Sequence, residues 1–268
     1  MIFSLPAFLL AVLAGLSSAS AWERTLKGAE AEDFLRAAQI VEMELLPIGV
    51  THPKKVTLRV GARTEHGVWK TIDRFSLRQK FADGRLEGVF RDTYKHEIAV
   101  YELDKLLGLG LVPPTIERQV EGEMGSLQLW IEGVMTEAER MRGGIHPPDL
   151  EQWNEQMLTV RLLNQLTDNT DYRNVSNLLV DSSFRLYAID YSRAFRLHGK
   201  LRREASLERF PRPVLEKLRG LTPELARQKL GKWLTKDQIK TLLKRRDRIV
   251  DLARKRVAEL GEEAVLFE

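Results

Sequence analysis

LLNQLTDNTDYRNVSNLLVDSSFRLYAIDYSRAF, residues 162–195, is the stretch whose reading decides the fold. An acidic and amide-rich loop from Asp168 to Asn177 interrupts two apolar segments. Leu178 to Val180 reads as a short strand, Asp181-Ser182-Ser183 as a turn, and Phe184 to Ile189 as a second strand ending at Asp190. With Ser182 and Ser183 at the tip, positions summing to about 365 face each other, so residue 177 pairs near residue 188. Asn177 and Asp190 then share one end of the ribbon, with Asp171 just upstream. An amide oxygen and carboxylates gathered there make a hard-oxygen site suited to Mg²⁺ and phosphate.

Working outward, RDTYKHEIAVYELDKLLGLGLVPPT (91–115) predicts a helix capped by Asp92 or Thr93, running to about Leu107 and ended by Gly108 and Gly110. Its apolar stripe of Ala99, Leu103, Leu106 and Leu107 is widened by Val100 and Tyr101, so the helix is buried on more than one side. Glu97 sits in the first turns of that packed helix, where an unpaired carboxylate is costly. It needs a cation. Upstream, Val56–Val60 and Val68–Ile72 read as strands around a glycine-bounded turn at 61–67, and Lys70 lies on the second. Such a strand pair suits a β-hairpin that covers a nucleotide, although the G-x-G-x-x-G spacing is absent.

The segment from Ala29, AEAEDFLRAAQIVEMEL, predicts one helix with Phe34, Leu35, Ala38 and Val41 on a single side. Thr115–Val120 and Gly125–Ile131 form a further hairpin whose exit, Trp130-Ile131-Glu132-Gly133, would be a hinge. Trp130 reads as a core residue, with adenine stacking as the alternative. Residues 134–147 read as a loop before a helix from Pro148 or Asp149 to Leu166.

The C-terminal third is helical and basic. Thr222-Pro223 and the Thr235/Gln238 capping box mark two helix starts. The last helix, to about Leu260, shows a stripe of Ile239, Leu242, Leu243, Val250, Ala253, Val257 and Leu260. Lys244, Arg245, Arg246, Arg248, Arg254, Lys255 and Arg256 read as its solvated face, one that also suits an anionic membrane surface.

These residues carry a resemblance. Asp171, Asn177 and Asp190 resemble the catalytic aspartate, the metal-binding asparagine and the DFG-position aspartate of kinases, and the wording NTD…ID-Y-S-R-A-F is similar to the atypical branch. That branch holds the HipA-like, phosphoinositide-kinase-like and secretory-pathway kinases, and K-H-E-I-A-V-Y-E-L-D-K-L-L-G-L resembles a segment of its bacterial phosphoinositide-kinase-like members. The resemblance spans roughly residues 33–200. It implies an α+β, two-lobed protein-kinase-like fold, with a small antiparallel-sheet lobe over 22–132 and a mostly helical lobe over 133–268. It further implies ATP with Mg²⁺ or Mn²⁺ as cofactors. Lys70, Glu97 and Glu132 would bind nucleotide, Asn177 and Asp190 would bind metal, and Asp171 would be catalytic. Arg193 would contact phosphate or form a salt bridge inside its own loop. The family places four residues between the catalytic aspartate and the metal asparagine; five stand here, with Tyr172 in the extra place. Either the loop bulges, or Asn174 or Asp168 takes a family role.

Composition excludes other chemistries. Hydrophobic residues make up 43% and charged residues 30%, which suits a folded chain, and the charge of +4 is too mild to call for nucleic acid. Cysteine is absent, which removes disulfides and thiolate sites. The five histidines are scattered without zinc spacing, and no G-x-S-x-G elbow occurs. Residues 1–21 read as a signal peptide or N-terminal anchor, with an apolar run from Ala7 to Leu16 and the small-x-small Ala19-Ser20-Ala21. Export or membrane anchoring follows, and a cytoplasmic site if that reading fails. A monomer is expected, acting on a protein, lipid or small-molecule acceptor. Two rivals stay open: a nucleotide-binding pseudokinase and a non-catalytic envelope scaffold.

Overall fold

In the computed structural model, which describes residues 26–47, 53–81, 84 and 86–268, the first helix α1 (Gly28–Ala37) is shorter than its pattern suggests. Gln39–Leu45 is instead a strand, β1, with Val41 exposed. Ile40 and Val41 are β-branched, and the glutamates at 42 and 44 sit on alternate positions, so an edge strand wins over a continued helix. The expected export segment, residues 1–21, lies outside the described residues.

β1 pairs antiparallel with β2 (Lys54–Val60), and β2 with β3 (Arg63–Lys70). The turn expected over 61–67 contracts to Gly61 and Ala62, and Gly67 lies inside β3. A Cβ at Gly67 would sit 2.9 Å from Leu127 Cδ1 and 3.1 Å from Gln128 O, so glycine there serves close strand approach rather than a turn. The β2–β3 turn therefore lies at the opposite end of the strand pair from Lys70. Leu45 pairs with Lys54 and Lys54 with Trp69, which puts Leu46 and Pro53, not the β2–β3 turn, at the Lys70 end of the sheet. Residues 48–52, between them, lie outside the described residues.

After β3 the chain makes an unforeseen ribbon of β4 (Asp73–Lys80) and β5 (Leu86–Thr93), then α2 (Tyr94–Leu107). Thr93 caps α2 by accepting from Lys95 N, and Gly108 ends it at φ +66. Only glycine adopts that backbone cheaply. β6 (Thr115–Val120) and β7 (Glu123–Leu129) complete a five-stranded sheet ordered β1-β2-β3-β7-β6.

The expected loop at 134–147 holds β8 (Met135–Thr136) and α3 (Glu137–Arg142), whose Thr136/Glu139 capping box was readable in the sequence. α4 (Leu150–Thr167) follows, capped by Asp149. β9 (Leu178–Val180) and β10 (Leu186–Ala188) join β8 in a three-stranded sheet ordered β10-β9-β8. α5 (Arg212–Gly220), α6 (Pro223–Leu230) and α7 (Lys236–Leu260) close the fold, with Thr222 and the Thr235/Gln238 box capping as expected.

Two apolar clusters hold these elements. One packs α1 on the large sheet through Phe34, Leu35, Leu58, Trp69 and Leu127. The other joins α2, α4 and α7 through Leu103, Leu162, Leu163, Tyr191, Phe195 and Leu242. α7 departs from its sequence reading at several places. Leu260 is exposed and Ile249 takes the core position, while Arg245, assigned to the solvated face, is fully buried and donates to the carbonyls of Leu166, Arg196 and His198. Its guanidinium fork satisfies chain ends that no apolar side chain could. Among the described residues no helix is long and apolar enough to cross a membrane.

Candidate active site

Lys70 ends β3 pointing into the space between the two clusters. Its Nζ donates to Glu97 Oε1 at 2.7 Å and to Asp190 Oδ1 at 2.8 Å. Two glycines make this possible. Gly67 lets β7 approach β3, and a Cβ on Gly125 would lie 2.4 Å from the carbonyl oxygen of Lys70. Glu97 comes from the first turn of α2 and is buried, and its second oxygen accepts from the backbone N–H of Tyr191 at 3.0 Å. The cation demanded by that buried carboxylate is thus Lys70; Lys95, the local alternative, pairs with Asp73 instead.

The electrostatics follow from burial and contact. Desolvation alone would depress the Lys70 ammonium, but Asp190 and Glu97 outweigh it and hold its pKa above the usual lysine range. Lys70 in turn holds Asp190 below the ordinary carboxylate range. Burial pushes Glu97 up, with Asp190 adding to it and Lys70 opposing. One cation therefore stabilises two carboxylates that would otherwise repel. Asp190 itself adopts φ +62, a left-handed backbone that aspartate tolerates better than most residues.

The ribbon register differs by one from the sequence reading. Leu178 pairs with Ala188, and Ile189 N donates to Asn177 O at 2.9 Å, so Asn177 faces Ile189 and adjoins Asp190. The tip is a longer turn, with Asp181 N bonded to Arg185 O and Phe184 at φ +60. The lengthened loop resolves as a turn plus a 3₁₀ segment at Val175–Asn177. Asn177 Nδ2 donates to Asp171 Oδ2 at 3.0 Å, and Asn174 Nδ2 reaches Asn177 Oδ1 at 3.1 Å. The extra residue is absorbed without separating Asp171 from Asn177. Asp168 takes no part in this group: it ends α4 at φ +49, buried, bound to Arg202 and His198.

Three residues whose long-range contacts the sequence did not show tie the site together. His96 is buried on α2, with Nδ1 2.9 Å from Ser192 O and Nε2 2.9 Å from Gln238 Nε2. Gln238 also donates to Phe195 O, so α7 and the segment after Asp190 brace α2. Desolvation drives the His96 pKa down to about 3, so the ring is neutral, with Nδ1–H donating and Nε2 accepting. Asp104 accepts from the backbone N–H groups of Gly110, Leu111 and Val112, pinning the exit of α2. A carboxylate inside an apolar helix stripe was the available signal.

Other expected residues lie elsewhere. Glu132 is exposed and 2.7 Å from His66 Nδ1. His66 is four residues before Lys70 on β3, so Glu132 stands about 13 Å from the lysine end by strand rise. Trp130 is half-buried under Lys55, whose Nζ lies 4.7 Å from the ring centroid. Arg193 leans on Phe90 of the ribbon and on Phe81 just past β4, and lies 3.6 Å from Glu87, a longer-range partner than its own loop.

For a divalent cation the donor chemistry fits. Asp190 and Asn177 supply hard oxygens at adjoining positions, and no cluster of three His, Cys, Asp or Glu exists among the described residues. A hard cation sharing one carboxylate with phosphate oxygens and water matches that sparse set.

No family profile matches this sequence, and no curated protein is similar enough to count as a relative. Its structure, however, is similar to solved ones. Hydra Fam20, solved with sugar, superposes at TM-score 0.64 with 14% identity over 91% of this chain and 94% of that one. The Golgi casein kinase superposes at 0.61, with 14% identity over 88% of this chain and 78% of that one. The same kinase with Mn/ADP bound gives 0.60, with 13% identity over 88% and 77%. The fold is kinase-like, with an antiparallel sheet and several helices.

Proposed function

We propose that this chain is an ATP phosphotransferase of the atypical, secretory-pathway-kinase type, with residues 22–132 and 133–268 as its two lobes. The single observation that carries the reading is Lys70 bound at once to Glu97 and Asp190, residues 27 and 120 positions away in sequence. A buried cation shared by one helix and the end of a ribbon, beside an Asn–Asp pair, is the apparatus phosphoryl transfer requires.

In this reading Lys70 holds the α- and β-phosphates and Glu97 keeps it aimed. Asn177 and Asp190 hold Mg²⁺ or Mn²⁺, which when bound neutralises charge on the phosphates. Asp171 orients the acceptor hydroxyl. Glu132 borders the hinge where backbone groups hold adenine. Catalysis is mainly positioning and charge neutralisation. The Golgi casein kinase with Mn/ADP supports the choice of nucleotide and divalent metal. Export through residues 1–21 accords with a Golgi enzyme of the same fold.

The test is thermal unfolding of the full chain with ATP and Mg²⁺ or Mn²⁺, beside Asp190→Ala. Ligand at about 100 times its Kd stabilises by roughly 2.7 kcal/mol, some 5–10 °C for this size. A metal-dependent rise absent from Asp190→Ala supports the reading. No rise with any nucleotide removes the mechanism and leaves the fold. A second reading, nucleotide binding without turnover, is favoured by one observation: Asp171 Oδ2 already accepts from Asn177 Nδ2 at 3.0 Å.

A further inference from the structure

Between the β4–β5 ribbon and the loop that carries Asp171 lies a cavity of about 700 Å³, walled by Glu87 on one side and by Tyr172, Arg173, His198 and Arg202 on the other. Thr170 and Tyr172, the neighbours of Asp171 on either side, both line it. The ribbon and Tyr172 are the two features that the kinase pattern did not anticipate, and they meet here.

The charge of the cavity is one-sided. Arg173 is exposed and has no carboxylate partner among the described residues; its Nε donates to Tyr172 Oη at 3.0 Å, which leaves both terminal nitrogens for a ligand. The guanidinium carbon of Arg173 lies 5.6 Å from the Tyr172 ring centroid, so the extra loop residue is the post that positions this cation. Arg202 and His198 are fixed from below by the buried Asp168 carboxylate. Glu87, the lone carboxylate among the lining residues, is turned to Arg196 at 2.8 Å and Arg193 at 3.6 Å. The Arg173 guanidinium, with its terminal fork turned to no carboxylate among the described residues, suits a planar or tetrahedral oxyanion, while Arg202, held by Asp168, adds positive field at the floor.

We propose that this cavity binds the anionic group of a small soluble acceptor, a hydroxylated phosphate monoester, and so presents its hydroxyl to Asp171. The inference rests on the phosphotransferase reading. In the transfer the acceptor oxygen bonds to the γ-phosphorus of ATP, and the bond from that phosphorus to the β–γ bridging oxygen breaks. The hydroxyl proton passes to Asp171 and then to water, and ADP leaves. A half-open cleft between two walls, rather than a flat basic plane, favours a small molecule over a lipid surface.

The experiment is calorimetric titration of the full chain with glycerol 3-phosphate against glycerol, with Arg173→Ala and Arg173→Glu, and separately with ADP and Mn²⁺. The expected result is saturable binding of glycerol 3-phosphate alone, weaker at higher salt, about tenfold weaker in Arg173→Ala and lost in Arg173→Glu. Equal affinity for glycerol and glycerol 3-phosphate, or binding indifferent to Arg173, overturns the proposal. So does binding that appears only on vesicles containing phosphatidic acid, which would make the anion a lipid headgroup. Failure of ADP to bind the unaltered chain defeats the phosphotransferase reading itself, and with it the acceptor role of the cavity, whatever glycerol 3-phosphate does.

Discussion

Lys70 Nζ and Asp190 Oδ1 are 2.8 Å apart although 120 residues separate them in the chain. Their contact closes the gap between the five-stranded sheet and the β9–β10 ribbon, and Glu97 shares the same cation at 2.7 Å.

Removing that cation should be costly. Lys70→Met leaves Glu97, 3% exposed, without its partner, and a buried pair broken on one side loses about 3–5 kcal/mol. Urea unfolding of Lys70→Met should show that loss, and adding Glu97→Gln should recover part of it. A loss below about 1 kcal/mol, the range of surface pairs, would show that the contact is not structural.

In the proposed mechanism Asp171→Asn separates binding from chemistry. Withdrawing a positioned base costs about 10²–10⁴-fold in rate. Phosphoryl transfer to an accepting substrate should fall by that factor, while the ATP-dependent rise in unfolding temperature stays. Unchanged transfer would strip Asp171 of its role.

His96 makes stability depend on acid. Its folded pKa, about 3, lies below the ordinary histidine value of 6.5, so the unfolded chain takes the proton first. The stabilisation is therefore complete above pH 6.5 and drains away as pH falls toward 3, by about 1.4 kcal/mol per unit. Unfolding free energies should be level above pH 6.5 and follow that slope at pH 6, 5 and 4, and His96→Asn should flatten it. An equal slope in the variant would assign the effect elsewhere.

Gly125→Ala places a methyl group 2.4 Å from the carbonyl oxygen of Lys70 and 2.8 Å from the Trp69 ring. Backbone cannot yield as a flexible side chain does, so β7 must shift from β3. Stability should fall by about 1–3 kcal/mol, as for overpacked cores, and nucleotide binding should weaken with it. Gly122→Ala lies in open space and isolates the clash from a general glycine effect, although its φ of +88 carries a cost of its own. Wild-type stability and nucleotide affinity in Gly125→Ala would refute the packing argument.

Much of this was legible without coordinates. Thr93, Gly108, Thr222 and the Thr235/Gln238 box declared their helices, because a cap is a local hydrogen bond written in neighbouring residues. The β9–β10 ribbon was legible to within one residue, since turn length alone sets where two strands cross. Glu97 announced that it needed a cation because no apolar helix can bury a bare carboxylate.

What the chain could not state locally, the tertiary structure decided. QIVEMEL satisfies a helix pattern and a strand pattern alike, and pairing with β2 selected the strand. Gly67 reads as a turn until β7 approaches within van der Waals distance. Arg245 reads as solvated until three carbonyls converge on it from α4 and the segment after Asp190. The choice of Lys70 over Lys95 for Glu97, and the meeting of the ribbon with Tyr172, depend on distances between segments far apart in sequence. Periodicity and caps report what a residue does to its neighbours within a turn or two. Which buried charge meets which is fixed only when the separate elements pack.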